Sequence, residues 1–500
     1  DLPIEAIEAE RLPKLLRLPQ LLHASEYYVQ LVIAATVMFA LALHAPFVLG
    51  ATTTAPVQQA QSTLVQAQQI RDWTVKHRRA LHEQPELLYD LSETSKYVRG
   101  VLDSLHIPYQ YPVAQQGIVA TIGSGESPCV ALRADMDALP IHEELTLDFR
   151  SRTDGKMHAC GHDAHTSMLL TAARLLKERE ESLPGTVKLI FQPAEEGGAG
   201  GLAMLEAGVL TAEPQIERIF ALHVWPGLPA GTVGGREGTL MAAAGFFHAR
   251  FVGHGGHAAM PHTTTDPFMA VGAALSGLQT VVARNLAPTE AGVVSTTFVH
   301  GGSAYNIIPG TVEMGGTLRS LTREGYGMLH EKTAAVLRGA AATFGCALNL
   351  TVSSFDHDCL RQPPPEGAPG SCTFPPTVNH PNGYATARAA ALGLVGDPER
   401  VIEMDPTMGG EDFAYFLEHV PGAMMFLGIG NATAGTDVNL HNPRFRMDEA
   451  QMPLGAALHV EMALRALREL SQPDASKLGC SRVAGQGPQC GEGTYIEAED

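Results

Sequence analysis

The stretch Met157-His158-Ala159-Cys160-Gly161-His162-Asp163-Ala164-His165 packs a thiol and several imidazoles together. Thiolate and imidazole are the preferred donors for zinc-like ions. An apolar-faced helical pattern running to Leu176 follows directly, and the first turn of a helix favours a thiolate. One chelating pair is not a site, because three protein ligands are the minimum. Taken alone, Cys160 and His162 read equally as a buried cysteine beside a surface histidine. Further on, Phe191-Gln192-Pro193-Ala194-Glu195-Glu196-Gly197-Gly198-Ala199-Gly200-Gly201 follows a strand-like run. Adjacent carboxylates at the carboxyl end of a strand lie where open α/β sheets bind ligands. They point different ways, so one can bind metal while the other takes a proton. The glycines let backbone approach a ligand closely. No Gly-Lys-Ser/Thr follows, which excludes a phosphate loop; a plain acidic turn is the alternative. His223 closes an apolar run, IFALHVWP, and His441 sits in Asn439-Leu440-His441-Asn442-Pro443. Each alone reads as a structural histidine. Asp135 and Asp137, in Arg133-Ala134-Asp135-Met136-Asp137-Ala138-Leu139-Pro140, also end a strand-like run. An aspartate there can orient a ligand histidine from behind, or Asp135 can pair with Arg133.

Together these residues resemble a known family, the indole-acetyl-amino-acid and hippurate hydrolases. These are two-metal amidohydrolases related to aminoacylases and zinc carboxypeptidases. The matching stretches, in the family's order, are RADMDALP, MHACGHDAHTSMLL, FQPAEEGGAGG, LHVWP, GHGGHAAMPH, GGSAYNIIP, MGGEDFAYF and LHNPRF. The resemblance implies metal ligands at Cys160, His162, Glu196, His223 and His441, and a general base at Glu195. It implies that His257 holds substrate in an active site, its own or that of a dimer partner, with Asn306 and Arg319 lining the same face. Asp135 and Asp137 are expected behind the ligands; His158, Asp163, His165 and Glu411 are motif members without assigned chemistry. Two divalent ions per subunit are implied. Zinc suits the borderline-soft ligands, and manganese or cobalt are also admitted. Two such ions ~3.5–4 Å apart share a water and lower its pKa from ~15.7 toward ~7, with Glu195 as proton acceptor. The implied reaction cleaves the amide of N-acyl amino acids, such as indole-acetyl conjugates, to free acid and amino acid. A dipeptidase or carboxypeptidase of the same clan, or an inactive binding protein, are the alternatives.

The elements that must hold these residues alternate strands and helices. Runs at 118–122, 129–133, 187–191 and 219–224 read as buried strands, with helices from about Ile70 and at Met168 to Leu176. That pattern predicts an α/β fold: a mostly parallel sheet flanked by helices. Residues 243–355 change rhythm to β-α-β-β-α-β, an inserted ferredoxin-like α+β domain, which the resemblance makes a dimerisation domain. A homodimer is expected. The catalytic domain then occupies residues 67–242 and 356–470, ending in a helix at 448–470. Residues 51–66, rich in Gln, Thr and Ala, read as a linker, and 471–500 as a disordered tail.

Composition bounds the rest. With 34 Lys+Arg against 53 Asp+Glu, the net charge is −19, which argues against nucleic acid as partner. Leu31 to Gly50 is the most apolar stretch, borderline for the ~20 residues that span a bilayer. It reads as a signal or membrane anchor, giving a lumenal or secretory-pathway protein; a transit peptide is the alternative. Sequons at Asn349-Leu350-Thr351 and Asn431-Ala432-Thr433 fit a lumenal chain, although the C-terminus carries no familiar retention signal. Cys359 with Cys372, and Cys480 with Cys490, are candidate disulfides if the compartment is oxidising. The N-terminal apolar segment, the loop from His357 to Thr373 and the C-terminal tail depart from the family pattern, and none of them holds a matched ligand.

Overall fold

The computed structural model describes residues 54–355, 357–361 and 372–472. The apolar stretch at 31–50, the tail and the Cys480 and Cys490 pair lie outside these residues. No helix among the described residues is long and apolar enough to cross a membrane.

The chain opens with helices α1 (Thr54–Gln69), α2 (Arg71–His82) and α3 (Ser92–Ser104). Strands β1 (Tyr109–Val113), β2 (Gly117–Gly123) and β3 (Cys129–Asp135) lead to α4 (His162–Lys177), β4 (Thr186–Gln192) and α5 (Gly200–Glu206). Then come β5 (Arg218–Pro229), β6 (Val233–Gly235) and β7 (Gly238–Met241). The inserted segment holds β8 (Ala243–Val252), β9 (Gly256–His257), α6 (Pro267–Asn285), β10 (Gly292–Gly301), β11 (Ile307–Ile308), β12 (Thr311–Ser320), α7 (Arg323–Thr343) and β13 (Ala347–Val352). The return comprises β14 (Thr377–Asn379), α8 (Pro381–Val395), β15 (Val401–Glu403), α9 (Ala414–Leu417), β16 (Gly422–Gly430) and α10 (Met452–Ser471).

The main sheet runs β1-β2-β4-β3-β5-β16-β6-β15. Its centre, β4-β3-β5-β16, is parallel. Antiparallel pairs lie on both sides, where β2 meets β4 and β6 meets β16. The sheet is therefore mixed around a parallel core. Central strands covered on both faces need apolar residues at every position, and β3 and β4 are buried along their whole length. Helices α4 and α10 cover one face with a continuous apolar core that includes Met168, Leu169, Leu458 and Met462. The inserted segment forms a second, all-antiparallel sheet, β10-β12-β8-β13, with α6 and α7 packed on one face. Its helices start where the sequence supplies caps: the Asp266 side chain accepts from the Phe268 N–H, and Thr322 from the Gly325 N–H.

Residues 51–66 are not a linker throughout, since α1 occupies Thr54–Gln69. Ala60, Thr63 and Ala67 are buried. The Thr63 hydroxyl donates to Glu461 Oε1 at 2.6 Å, and Gln61 Nε2 donates to the Gly393 and Leu394 carbonyls. Gln and Ala are good helix formers, and small residues at helical spacing let α1 lie close on α8 and α10. Leu64 is the large apolar residue of this helix that packs on the core, too little to give that face a hydrophobic period to read.

Helix α4, which begins at the metal motif, is tied down by a buried ion pair. Arg78 Nε lies 2.8 Å from Asp163 Oδ2, and His82 Nδ1 meets the same oxygen at 2.8 Å. Burial opposes the charge on Asp163, but Arg78 and His82 outweigh it and hold the carboxyl well below its usual range. Arg78→Met leaves that buried carboxylate with His82 as its remaining charged partner, and should cost about 3–5 kcal/mol in a denaturant titration. A loss below ~1 kcal/mol would class the pair with surface bridges and refute its structural role.

Candidate metal and catalytic site

The expected metal ligands converge at the carboxyl edge of the parallel strands, each held by its own backbone device. Gly161 caps α4 at φ 91°, and a Cβ there would lie 2.5 Å from Val224 Cγ2. Only glycine permits this turn, which sets Cys160 and His162 on either side of it. The His162 Nδ1–H donates to the Asp137 carbonyl at 2.8 Å, leaving Nε2 free to face the site. His223 is fixed the same way: Nδ1–H donates to the Val224 carbonyl at 2.7 Å, and Nε2 lies 3.4 Å from Cys160 Sγ. Such outward hydrogen bonds fix the tautomer of a ligand imidazole.

Glu195 and Glu196 sit on a strained turn. Ala194 has φ 55°, costly for a non-glycine residue and common at functional sites. The Asp137 carboxylate holds the turn, accepting the N–H of Glu195 at 3.0 Å and of Glu196 at 3.1 Å. His441 is also left-handed, at φ 59°. Its N–H donates to the Ala159 carbonyl at 2.9 Å, and its Nε2 lies 3.2 Å from Glu196 Oε1.

Two overlapping donor triads result: Cys160 with His162 and His223, and Cys160 with Glu196 and His441. His162, Glu195 and Glu196 also cluster. His162 Nε2 is buried without a hydrogen-bond partner among the described residues. Orphaned inward-facing donors of this kind are rare unless a cation completes them. The residues fit a pair of divalent ions, with Cys160 common to both triads.

Electrostatics points the same way. Burial, then Glu196, Glu195 and Asp135, push the Cys160 thiol well up. The expected thiolate stabilisation by the first helical turn is thus outweighed: Cys160 precedes the turn and sits among carboxylates, so only a metal makes it a thiolate. Burial and then Glu411 and Glu196 push Glu195 well up. Burial, then His165, keeps His223 neutral. Burial opposes charge on His162, but Asp135 and the Asp137 hydrogen bond outweigh it and raise its pKa to about 10.

Several participants were not assigned roles from sequence. Arg133 is wholly buried. It donates to Asp135 Oδ2 at 2.8 Å and Gln192 Oε1 at 2.9 Å, and its Nη2 lies 2.9 Å from Asp412 Oδ1 and 3.0 Å from Glu411 Oε1. Glu411 and Asp412 cluster with Glu195. Asp135 does pair with Arg133, and it also accepts His165 Nδ1–H at 2.7 Å, while His165 Nε2 accepts the Val224 N–H. Both nitrogens of His165 are therefore committed, and it is no free ligand. The signal for the Glu411–Asp412 pair lay in MGGEDFAYF, a second doublet of carboxylates, but nothing in its spacing tied it to Arg133.

The inserted segment contributes unevenly. Arg319, on β12, places Nη1 2.8 Å from where a Cβ on Gly410 would sit, just ahead of Glu411. It is half-buried and has no carboxylate partner among the described residues. His257 and Asn306 lie together on the exposed β9–β11 ribbon, where the Ala258 N–H meets the Asn306 carbonyl at 3.0 Å. Neither joins the metal-donor cluster of its own chain.

Residues 131–465 match peptidase family M20/M25/M40. The chain belongs to this family. Its relatives include IAA-amino acid hydrolase ILR1-like 4 of Arabidopsis thaliana, 42% identical over 415 residues, 83% of this chain and 90% of that protein. N-acetylcysteine deacetylase of Bacillus subtilis is 37% identical over 400 residues, covering 79% and 97%. A solved dinuclear metal-binding M20 peptidase of Bacillus subtilis superposes with TM-score 0.66 at 34% identity, covering 80% of this chain and 99% of that one. The M20 chain described here is accordingly a metal-dependent amidohydrolase with a site for two divalent ions.

With His162 at about 10, the metal-free site holds a proton at neutral pH, and a metal takes the same lone pair. Adding divalent metal to stripped protein at pH 7.5 should release protons into weak buffer, and apparent affinity should climb with pH toward ~10. Binding without proton release, or affinity flat with pH, would contradict this donor set.

Proposed function

We propose that the chain hydrolyses N-acyl amino acids, indole-acetyl-type conjugates among them, to the free acid and amino acid. The observation that carries this is one carboxylate, Glu195, left beside two candidate donor triads, with Arg319, which has no carboxylate partner among the described residues, at the adjoining loop. The names of the relatives, an IAA-amino acid hydrolase and an N-acetylcysteine deacetylase, support the substrate class. Bound divalent ions would polarise the amide carbonyl and make water nucleophilic at neutral pH. Glu195, held by its backbone bond to Asp137, takes the proton from the attacking water and delivers it to the leaving nitrogen. Arg319 receives the carboxylate of the amino-acid moiety as a charge-assisted pair. Zinc is the favoured metal because a thiolate and three imidazoles dominate the ligands, with manganese second.

A peptidase reading draws on a thermostable carboxypeptidase of Saccharolobus solfataricus, 35% identical over 401 residues. An acyl amino acid and a dipeptide compared at equal concentration separate the two, and faster dipeptide cleavage would reject the acyl amino acid as main substrate. Two wider readings go with the proposal. His257 and Asn306 serve the active site of a second copy, supported by the exposed Met260, Phe268, Met269, Tyr305 and Ile307 around their ribbon. An oxidising compartment is supported by the paired Cys359 and Cys372 and by exposed side chains at Asn349 and Asn431.

Glu195→Gln should lower kcat by about 10²–10⁴ while the protein keeps its metal; an active variant would remove Glu195 from its role. Arg319→Ala should raise KM for an acyl amino acid by ~10–150-fold, the worth of a charged hydrogen bond. It should leave KM for the matching acyl amino amide, which lacks the carboxylate, nearly unchanged. Equal effects on both substrates would place Arg319 away from the carboxylate.

A further inference from the structure

The connector returning from the inserted segment carries a disulfide, Cys359–Cys372. Both cysteines pack into a small core of their own with Ala199, Leu202, Ala244, Phe374 and Tyr415. Each of these contacts belongs to something that shapes the active site. Ala199 and Leu202 lie in the glycine-rich loop and α5, directly after Glu195 and Glu196. Tyr415 lies in α9, directly after Glu411 and Asp412, and donates its hydroxyl to the Thr373 carbonyl at 2.8 Å. Ala244 starts the inserted sheet and exchanges backbone hydrogen bonds with Phe374 at 2.9 Å in both directions.

Helix α5 is thereby held from two sides. On the inside, the Gly201 N–H donates to Asp412 Oδ2 at 2.8 Å. On the outside it meets the cystine, and Glu206 at its end lies 3.6 Å from Arg361 Nη2 in the same connector. The loop leading into α5 has little side-chain mass, and Ala199 there stands at φ 53°. A strained, glycine-rich loop keeps one conformation only when its surroundings over-determine it. The cross-link supplies the outer wall.

We propose that the Cys359–Cys372 cystine is a redox-sensitive positioning element of the active site, holding α5 and α9 so that Glu195 and the Glu411–Asp412 pair converge. A dithiol reductant donates two electrons and two protons; the S–S bond breaks, both cysteines become thiols, and the reductant closes to its own disulfide. The connector then loses its tether, the outer wall of α5 loosens, and turnover falls while Cys160, His162, His223 and His441 keep their metal.

The effect on turnover rests on the proposed hydrolysis of acyl amino acids; the effect on loop order does not. The test uses the full chain, metal-loaded and oxidised, beside a Cys359→Ala/Cys372→Ala variant that needs no reductant. Expected for the variant are kcat lower by between about 10- and 100-fold and KM within about threefold. Its metal content should match the wild type, and amide exchange across residues 197–206 should be faster. Reduced wild-type protein should reproduce this behaviour, and the variant should be indifferent to reductant. Wild-type kcat in the variant, or unchanged exchange at 197–206, overturns the proposal. If the variant does not fold, reduced wild-type protein decides by the same two readouts. Should no acyl amino acid be cleaved even by oxidised protein, the function fails on its own, and exchange alone decides the role of the cystine.

Discussion

The structure depends on a surplus of buried negative charge at one sheet edge. Asp135, Asp137, Glu195, Glu411 and Asp412 are all buried there, with Glu196 beside them. An uncompensated ionised carboxylate away from water is very costly, so such a group neutralises or finds a cation. Arg133 supplies one cation and is shared among Asp135, Glu411 and Asp412. That is not enough: burial and neighbouring carboxylates push Glu195 and Asp412 well above their usual range. His162 retains a proton against the cost of burial. The remaining demand for positive charge is one that two divalent ions would satisfy, and the buried His162 Nε2, which has no hydrogen-bond partner among the described residues, faces that site. Metal binding here is therefore part of the folding energetics.

Holding like charges together needs a backbone that cannot relax. Ala194, Ala199 and His441 all take left-handed conformations that ordinary residues avoid. Ala194 is kept there by the Asp137 carboxylate on the two following amides and by the Gly200 N–H on its carbonyl. His441 is kept there by the Ala159 carbonyl, one residue before Cys160. Asp137 thus does two jobs with one residue: its carbonyl aims His162, and its carboxylate aims Glu195 and Glu196. A change in the Asp137 hydrogen bonds would move His162, Glu195 and Glu196 together.

Much of this was legible in the chain. The central strands announced themselves as unbroken apolar runs, and the inserted segment by its change to alternating polarity, because burial on two faces or one dictates those patterns. The candidate donors Cys160, His162, Glu195 and Glu196 stood out because they follow a strand or lead into a helix, whereas His223 lies within β5 and His441 in a loop. The short strands β6, β7, β14 and β15 were not legible, since three or four residues carry no period. Helix α1 was hidden because its core-facing positions are mostly small, with Ala60, Thr63 and Ala67 beside Leu64. The Arg133 hub was half visible: Asp135 is its neighbour in sequence, but Glu411 and Asp412 reach it only through the folding of the whole chain. Long-range charge pairing leaves no trace in local spacing.

The inserted segment shows how a second domain acts on the first without supplying a metal ligand. It leaves and rejoins the catalytic part beside the acidic loop. The Ala242 N–H is bonded to the Gly409 carbonyl, and Ala244 pairs with Phe374. Strand β12 is bonded to β8 along its length, so Arg319 lies directly opposite Ala244. The guanidinium is consequently fixed relative to the junction, not to the far end of the insertion. Gly410 has no side chain to hold it away. A cation placed this way is set by the same few backbone bonds that place Glu411. The ribbon carrying His257 and Asn306, by contrast, continues β8 and β12 beyond the end of the sheet, with the Gly253 N–H donating to the Gly310 carbonyl at its base. Arg319 is therefore fixed beside Gly410 of its own chain, while the ribbon stays exposed.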